Sequence, residues 1–111
     1  MTLQHIAFAS DWEAAQESGT YPVSTRGMSI ADVGFMHCSG SDEQRDGVLG
    51  RFYSDVTEPL LLLTLDEEVL AEHGLDVRYE PADLGGDELF PHVYGADLPI
   101  QCVTRAEPLQ R

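Results

Sequence analysis

The chain opens with alternating apolar positions. In residues 3–8, Ile6 and Phe8 fall on one face of an extended segment, and His5 falls on the opposite face. This period of two predicts a first strand. The face of this strand that points away from one core layer therefore carries an ionisable ring, His5.

Two helices are predicted from capping signals. Ser10 and Ser41 are each followed three positions later by Glu or Gln, which is the spacing of an N-terminal capping box. The first helix is expected to end at Gly19, and the second at about Tyr53. Two glycines in the second helix weaken it, so packing against the rest of the domain has to stabilise it.

The remaining elements are short. Further strands are predicted at residues 34–38, 60–65, 76–80 and 100–105. The run at 60–65 is continuously apolar, which indicates a strand covered on both faces. A helix capped by Asp66 is expected to end at Gly74, and a turn is expected at 85–87.

The segments between these elements are predicted to be irregular. Residues 20–33 are expected to form a loop with a short extended piece. The stretch between Pro91 and Pro99 is expected at a sheet edge or in a loop, because proline cannot donate to a strand ladder.

The order of elements predicts an α+β fold over a single domain, residues 1–111. A small mixed or split antiparallel sheet with flanking helices is favoured. A doubly wound parallel sheet is less consistent with the short, irregular connections and with the lack of a glycine-rich strand-to-helix turn. A length of 111 residues leaves no room for a second core.

Charge narrows the possible partners. The chain has 20 acidic and 6 basic residues, a formal net charge of -14, and every basic residue is arginine. Without lysine there is no Schiff base or lysine general base. The negative field disfavours nucleic acid and anionic membrane as partners, since both require a basic patch.

Other features point to a cytoplasmic protein. Two cysteines are too few for a disulfide scaffold. The longest apolar run has four residues, far below the length of a membrane span, and the first residues do not resemble a secretory signal. The oligomeric state is not indicated by any of these features.

The predicted strand at 34–38 carries a histidine among apolar residues. Alternation places Phe35, His37 and Ser39 on one side, with Met36 and Cys38 on the other. Such a histidine is either a core residue bonded to a backbone carbonyl or a member of a site. Ser39 can also be interpreted as a turn or cap residue before the helix.

A second segment with rings and an imidazole lies near the end of the chain. Phe90, His92 and Tyr94 share one side if the chain is extended there, and would form a wall suited to a planar ligand. The alternative is that these aromatics only cap the core. Glu80 and Glu88 are near enough in sequence to supply a carboxylate to the same cleft.

These residues could form four kinds of site. A metal site at His5, His37 and His92 lacks the usual ligand spacing, so no metal is expected. Catalysis by Cys38 is disfavoured because its neighbouring histidine lies on the opposite strand face. A phosphate site at the helix start near Ser41 would meet acidic residues in the first turn. A small neutral or cationic-ringed ligand between aromatic side chains fits best.

Four segments resemble the signature blocks of the bacterial domain of unknown function 952 family. They are GFMHCS at 34–39, RFY at 51–53, RYEP at 78–81 and FPHVYG at 90–95. His5 in the first strand and Trp12 in the first helix are similar to the family as well. The resemblance spans essentially the whole chain. It implies an ADP-ribosyltransferase-like fold, in which two small sheets enclose a cleft that binds NAD in the enzymes.

The resemblance also implies roles for individual residues. His5 would hold a ribose hydroxyl, His37 and Ser39 would form the nicotinamide-side wall, and Tyr94 would stack on a ring. Glu80 or Glu88 would stabilise an oxocarbenium-like transition state. Neither established triad of those enzymes, arginine-serine-glutamate or histidine-tyrosine-glutamate, is cleanly present.

The resulting prediction is a small-molecule binding domain, with NAD as a candidate cofactor. Its candidate catalytic residues are Glu80 and His37. Its candidate ligand-binding residues are His5, Phe35, Ser39, Phe90, His92 and Tyr94. The alternative is a non-catalytic regulatory or interaction domain whose histidines are structural.

Overall fold

The computed structural model describes residues 2–81 and 88–109. In these ranges the strands are Thr2–Phe8 (β1), Thr20–Tyr21 (β2), Val23–Thr25 (β3), Met28–Ser29 (β4), Met36–His37 (β5), Leu60–Asp66 (β6), Asp76–Pro81 (β7), Leu89–Tyr94 (β8), Leu98–Pro99 (β9) and Val103–Pro108 (β10). The α-helices are Ala9–Ser18 (α1), Ile30–Val33 (α2), Asp42–Phe52 (α3) and Glu67–Glu72 (α4).

One three-stranded antiparallel sheet has the order β1-β6-β10. The apolar run of β6 forms its central strand. Leu63 and Leu65 join the larger core cluster, whereas Leu60 and Leu62 are buried on the other face. The prediction that this strand is covered on both faces is confirmed, because each face packs against apolar side chains.

A second three-stranded antiparallel sheet has the order β5-β8-β7. Its centre is β8, so the prediction that the stretch between Pro91 and Pro99 lies at an edge or in a loop is wrong for residues 92–94, whereas residues 95–97 lie outside the strands. Pro91 is tolerated because the pairing of β5 with β8 ends at the His37–His92 pair, so the N–H that proline lacks is not needed for a bond within β5. The Pro91 carbonyl still accepts from the Cys38 N–H at 3.0 Å.

A short bridge links the two sheets. Gln4 of β1 and Ser39, just after β5, exchange backbone hydrogen bonds of 2.8 and 2.7 Å. Two smaller ladders, β2-β9 and β3-β4, complete the pairing among the described residues. The fold class is therefore α+β with split antiparallel sheets, as the sequence predicts.

Helix starts follow the sequence only in part. Ser41 caps α3 by accepting from the Gln44 N–H, and Asp66 caps α4. The capping box at Ser10 is wrong: α1 starts at Ala9, and Phe8 before it makes no side-chain cap. The end of α1 at Gly19 is confirmed, with a left-handed φ of 95°. None of the described helices is long and apolar enough to cross a membrane.

Three segments differ from expectation. Residues 20–33 contain β2, a β3-β4 hairpin and α2 rather than a loop. Only Met36 and His37 form the strand expected over 34–38, since Gly34 closes α2 with a positive φ of 98°. Residues 100–102 form a 3₁₀ turn before β10. The turn expected at 85–87 lies outside the described residues.

We expect Gly50→Ala to stabilise the chain by about 0.5–1 kcal/mol, because alanine is the better residue in a helix interior. Gly50 is exposed in α3, and a Cβ built there meets no atom within 4 Å. Chemical denaturation measures the change. Gly47→Ala is the matched comparison, with a smaller gain expected because its Cβ would lie 3.1 Å from Arg51 Nη2. A loss of stability in Gly50→Ala would contradict the expectation.

Candidate functional site

A large cleft lies beside the second sheet. Its volume is about 1060 Å³, and the β3-β4 hairpin, α3 and the strands β5, β7 and β8 contribute to its lining. The lining residues include Ser24, Thr25, Arg26, Met28, Val33, Phe35, His37, Val48, Arg51, Phe52, Asp55, Glu80, Pro81, Glu88, Phe90 and His92. A volume of this size is enough for a cofactor-sized molecule.

Four rings from β8 and the β5 segment meet in this cleft. Phe35 stacks on His92, with centroids 4.0 Å apart and planes inclined by 15°. His37 lies 5.3 Å from Phe90 and 5.4 Å from His92. The period of two puts these side chains on one face, because antiparallel pairing places His37 opposite His92. We call Phe35, His37, Phe90 and His92 the aromatic wall.

The structure therefore brings together side chains distant in sequence. Met36 and Cys38, on the other face of β5, are buried in the larger core. The division of faces expected from alternation is observed for Phe35 and His37 and for Phe90 and His92, which line the cleft. Burial raises the pKa of the Cys38 thiol, so a thiolate is disfavoured there.

His37 is the partly exposed imidazole of the wall. No hydrogen bond joins its ring nitrogens to the described residues. Burial, followed by the charge of neighbouring His92, lowers the pKa of His37 to about 4. At neutral pH the ring is therefore uncharged and offers one N–H donor and one acceptor nitrogen to a molecule in the cleft.

The Glu80 carboxylate orients the His92 ring by a hydrogen bond. Glu80 Oε1 accepts from His92 Nδ1 at 2.9 Å and from the Tyr94 hydroxyl at 2.5 Å. The hydrogen bond from Tyr94 and then that from His92 lower the pKa of Glu80, so the carboxylate stays ionised. Arg78 covers the Tyr94 ring at 4.3 Å, which holds that phenol against β7.

His5 does not line the cleft. It is buried in the core, where Nδ1 donates to the His37 carbonyl at 2.7 Å and Nε2 accepts from the Tyr21 hydroxyl at 2.9 Å. A carbonyl can only accept, so the proton is placed on Nδ1. Of the three candidate histidines, His37 and His92 line the cleft, and His5 meets only His37, at the smaller hollow beside it.

Ser39 and Tyr94 also lie outside the cleft lining. Ser39 is buried by its bridge to β1, and with His5 it borders a smaller hollow of about 10 Å³, no larger than one water, which shares Ser24 and His37 with the cleft. The Tyr94 ring packs against Phe35 at 5.4 Å while its hydroxyl points to Glu80. Their expected places at a ligand are therefore not supported by this geometry.

Three carboxylates line the cleft. Glu80 lines it from β7, Glu88 lies just before β8, and Asp55, which is paired with Arg26, follows α3. Glu88 accepts from Gln44 Nε2 at 3.2 Å, and the same nitrogen donates to the Leu89 carbonyl at 2.8 Å. Gln44 thereby ties α3 to β8 and helps to fix the opening between them.

Sequence reasoning missed the opposite side of the cleft. Ser24 and Arg26 come from a segment expected to be a loop, and no local signal marked them. Arg51 lies within the RFY segment that resembles the family, but the sequence pattern there indicates no role for it. Arg26 makes two hydrogen bonds with Asp55, at 2.7 and 3.1 Å, and donates to the Phe52 carbonyl. Arg51 Nε donates to the Gly47 carbonyl at 3.2 Å.

The described residues contain no group of three or more His, Cys, Asp or Glu side chains arranged to hold a metal ion. The site is best described by ring surfaces, three carboxylates and two arginines. This combination can bind a ring by stacking and can contact an anionic group at the arginines.

Comparison with known proteins places the chain in a family. The sequence model of a family described as protein of unknown function (DUF952) matches residues 6–106. The crystal structure of protein CC0527 from Caulobacter crescentus is 27% identical, with a TM-score of 0.77, and the match covers 99% of this chain and 87% of that one. The solution NMR structure of CC0527 is 30% identical, with a TM-score of 0.73 and coverages of 98% and 84%.

No curated protein matches the chain. The family match takes in Phe35, β5, β7 and β8, which together carry the aromatic wall and Glu80. The family model matches nearly all of the described residues, and the crystal structure of CC0527 aligns with 99% of this chain. The chain belongs to the DUF952 family of proteins of unknown function.

Proposed function

We propose that this chain binds a small molecule with a planar ring, of nucleotide type, in the cleft beside the aromatic wall. NAD is the candidate we favour. The observation that carries the proposal is the convergence of Phe35, His37, Phe90 and His92 on one cleft of about 1060 Å³. Stacking on such rings is worth about 1–3 kcal/mol for a nucleobase.

The position of the arginines supports a phosphate-bearing ligand. Two of the six basic residues, Arg26 and Arg51, line the cleft of a chain whose net charge is -14. Arg26 is already engaged by Asp55. No salt bridge joins Arg51 to a carboxylate of the described residues, so its guanidinium is the better contact for a phosphate.

An ADP-ribosyltransferase-like arrangement is the finer part of this proposal. It is supported by two small antiparallel sheets joined at the Gln4–Ser39 bridge. In that arrangement Glu80 would face the bond between ribose and nicotinamide. Its ionised carboxylate would stabilise the positive charge that develops on the ribose, and His37 would contact the departing ring.

Calorimetric titration with NAD, AMP and nicotinamide tests the binding. We expect NAD to bind the wild type and His37→Ala to bind it at least about fivefold more weakly, since one ring of the wall is lost. Unfolding curves recorded on the same samples show whether the variant is folded. Null heats for all three compounds with the wild type would remove the nucleotide proposal.

Nicotinamide release separates an enzyme from a binding domain. If the chain cleaves NAD, water or an acceptor forms a bond to the ribose carbon as the bond to nicotinamide breaks, and free nicotinamide accumulates; Glu80→Gln abolishes the release while leaving the ring surfaces in place. Binding of NAD without any release would support a binding role and would remove transferase chemistry. Chromatographic measurement of nicotinamide gives this result directly.

A non-catalytic regulatory domain is the second candidate, and the environment of His5 favours it. Both ring nitrogens of His5 are bonded inside the core, which is the arrangement of a structural histidine. This candidate predicts that His37 is structural too, so His37→Ala would lower stability by about 1–3 kcal/mol without affecting any ligand. Unchanged stability with weaker binding would contradict it.

A further inference from the structure

Two buried polar atoms lack a hydrogen-bond partner among the described residues. They are Ser24 Oγ and His92 Nε2. Both residues line the same cleft, although one lies on β3 and the other on β8, and Ser24 stands where the small hollow beside His5 adjoins that cleft. Buried polar groups in native proteins are nearly always bonded, so an unpaired pair at one cleft indicates groups that a bound molecule satisfies.

Nε2 is the nitrogen of His92 that has no hydrogen-bond partner among the described residues. Only 3% of His92 is exposed, and its Nδ1 is bonded to the Glu80 carboxylate at 2.9 Å. An ionised carboxylate only accepts, so Nδ1 carries a proton, and in the neutral form of the ring Nε2 is left as a lone-pair acceptor. Glu80 therefore fixes the orientation of the ring.

Ser24 complements this acceptor. Its side chain is fully buried, and a hydroxyl both donates and accepts. Leaving a buried donor or acceptor unpaired costs about 1–3 kcal/mol, and a ligand that pairs with these atoms recovers that free energy. The two atoms together suit a neutral group that has a donor hydrogen and an acceptor oxygen.

We propose that His92 Nε2 and Ser24 Oγ form a polar subsite of the cleft that binds a neutral hydroxyl or carboxamide substituent of an aromatic ring. Nε2 accepts a hydrogen bond from the substituent, and the Ser24 hydroxyl donates a hydrogen bond to the oxygen of the substituent. The subsite rests on the proposed binding of planar rings and adds a requirement to it. Rings that carry only acceptor groups bind poorly, because Nε2 then stays unpaired.

Phenol and fluorobenzene provide a test, since they share ring and size but only phenol has a donor hydrogen. Titrations followed by protein NMR give both dissociation constants. We expect phenol to bind the wild type at least about fivefold more tightly, the ratio that a net hydrogen bond of about 1 kcal/mol produces. In His92→Phe the ring surface is kept and the preference for phenol is lost.

Tyr94→Phe is the matched control. It removes the other donor to Glu80 at β8 but leaves Nε2 in place, so the preference for phenol persists. Equal affinities for the two rings in the wild type, or a preference that survives in His92→Phe, would overturn the subsite while the ring-binding cleft stands. Absence of binding by both rings would overturn the cleft and the subsite together.

The tautomer of His92 provides a measurement that needs no ligand. Nitrogen-15 NMR of the imidazole distinguishes a protonated from an unprotonated ring nitrogen. A proton on Nδ1 and a bare Nε2 at neutral pH support the acceptor role. A proton on Nε2 at that pH, in a neutral ring or in a ring protonated on both nitrogens, would overturn it.

Discussion

Lowering the pH from about 6.5 to about 4 is expected to destabilise the folded chain by about 3 kcal/mol through His5 alone. Burial is the largest cause that lowers the pKa of His5, from 6.5 in the unfolded chain to about 4 in the fold. Between these values the unfolded chain binds a proton that the folded chain does not. Stability is therefore fully present above pH 6.5 and is lost as the pH falls to about 4.

Denaturant unfolding of the wild type and His5→Gln, measured from pH 7 down to about pH 4, isolates this contribution. The many carboxylates titrate in both proteins and cancel in the difference. His73→Gln is the matched control, because it removes an exposed imidazole. An equal pH dependence in the wild type and His5→Gln would contradict the expectation. If His5→Gln does not fold, the titration of His5 in the wild type, followed by NMR, decides the matter.

Removing Phe35 is expected to weaken the binding of NAD or AMP by about tenfold or more. The Phe35 ring lies against His92 in parallel at 4.0 Å and forms part of the cleft lining. Phe35→Ala removes this surface and also frees the His92 ring to tilt. A lost base–aromatic stack accounts for about 1–3 kcal/mol, and 1.4 kcal/mol corresponds to tenfold in affinity.

Tyr79→Ala is the comparison for this change. Tyr79 is an exposed aromatic residue of the same sheet, but it alternates with Glu80 along β7 and so faces away from the cleft. Calorimetry is expected to give wild-type affinity for Tyr79→Ala. Equal weakening in both variants would show that sheet stability, rather than the aromatic wall, determines binding.

Local sequence patterns determined most of the secondary structure. The leucine run at β6, the caps at Ser41 and Asp66 and the stop at Gly19 are short-range effects of periodicity, hydrogen bonding and backbone freedom. The same alternation assigned Phe35, His37, Phe90 and His92 to their faces. The start of α1 was misjudged because a serine-glutamate spacing is only one of several ways to begin a helix.

The placement of β8 needed information that is not local. Pro91 argues for an edge by itself, yet β8 lies between β5 and β7. The reason is register: Pro91 falls at the position where β5 ends, so its missing donor breaks no ladder bond. Which strand ends opposite which proline is decided by long-range pairing.

The sequence by itself determined an acidic α+β domain, its family resemblance and the ring-bearing faces of two segments. Only the tertiary structure decided which rings share a cleft. It placed His5 in the core beside Tyr21, and it brought Ser24 and Arg26 to a site that no motif indicated. The physical reason is that alternation fixes the face of a side chain, whereas the packing of separate strands and helices fixes which faces meet.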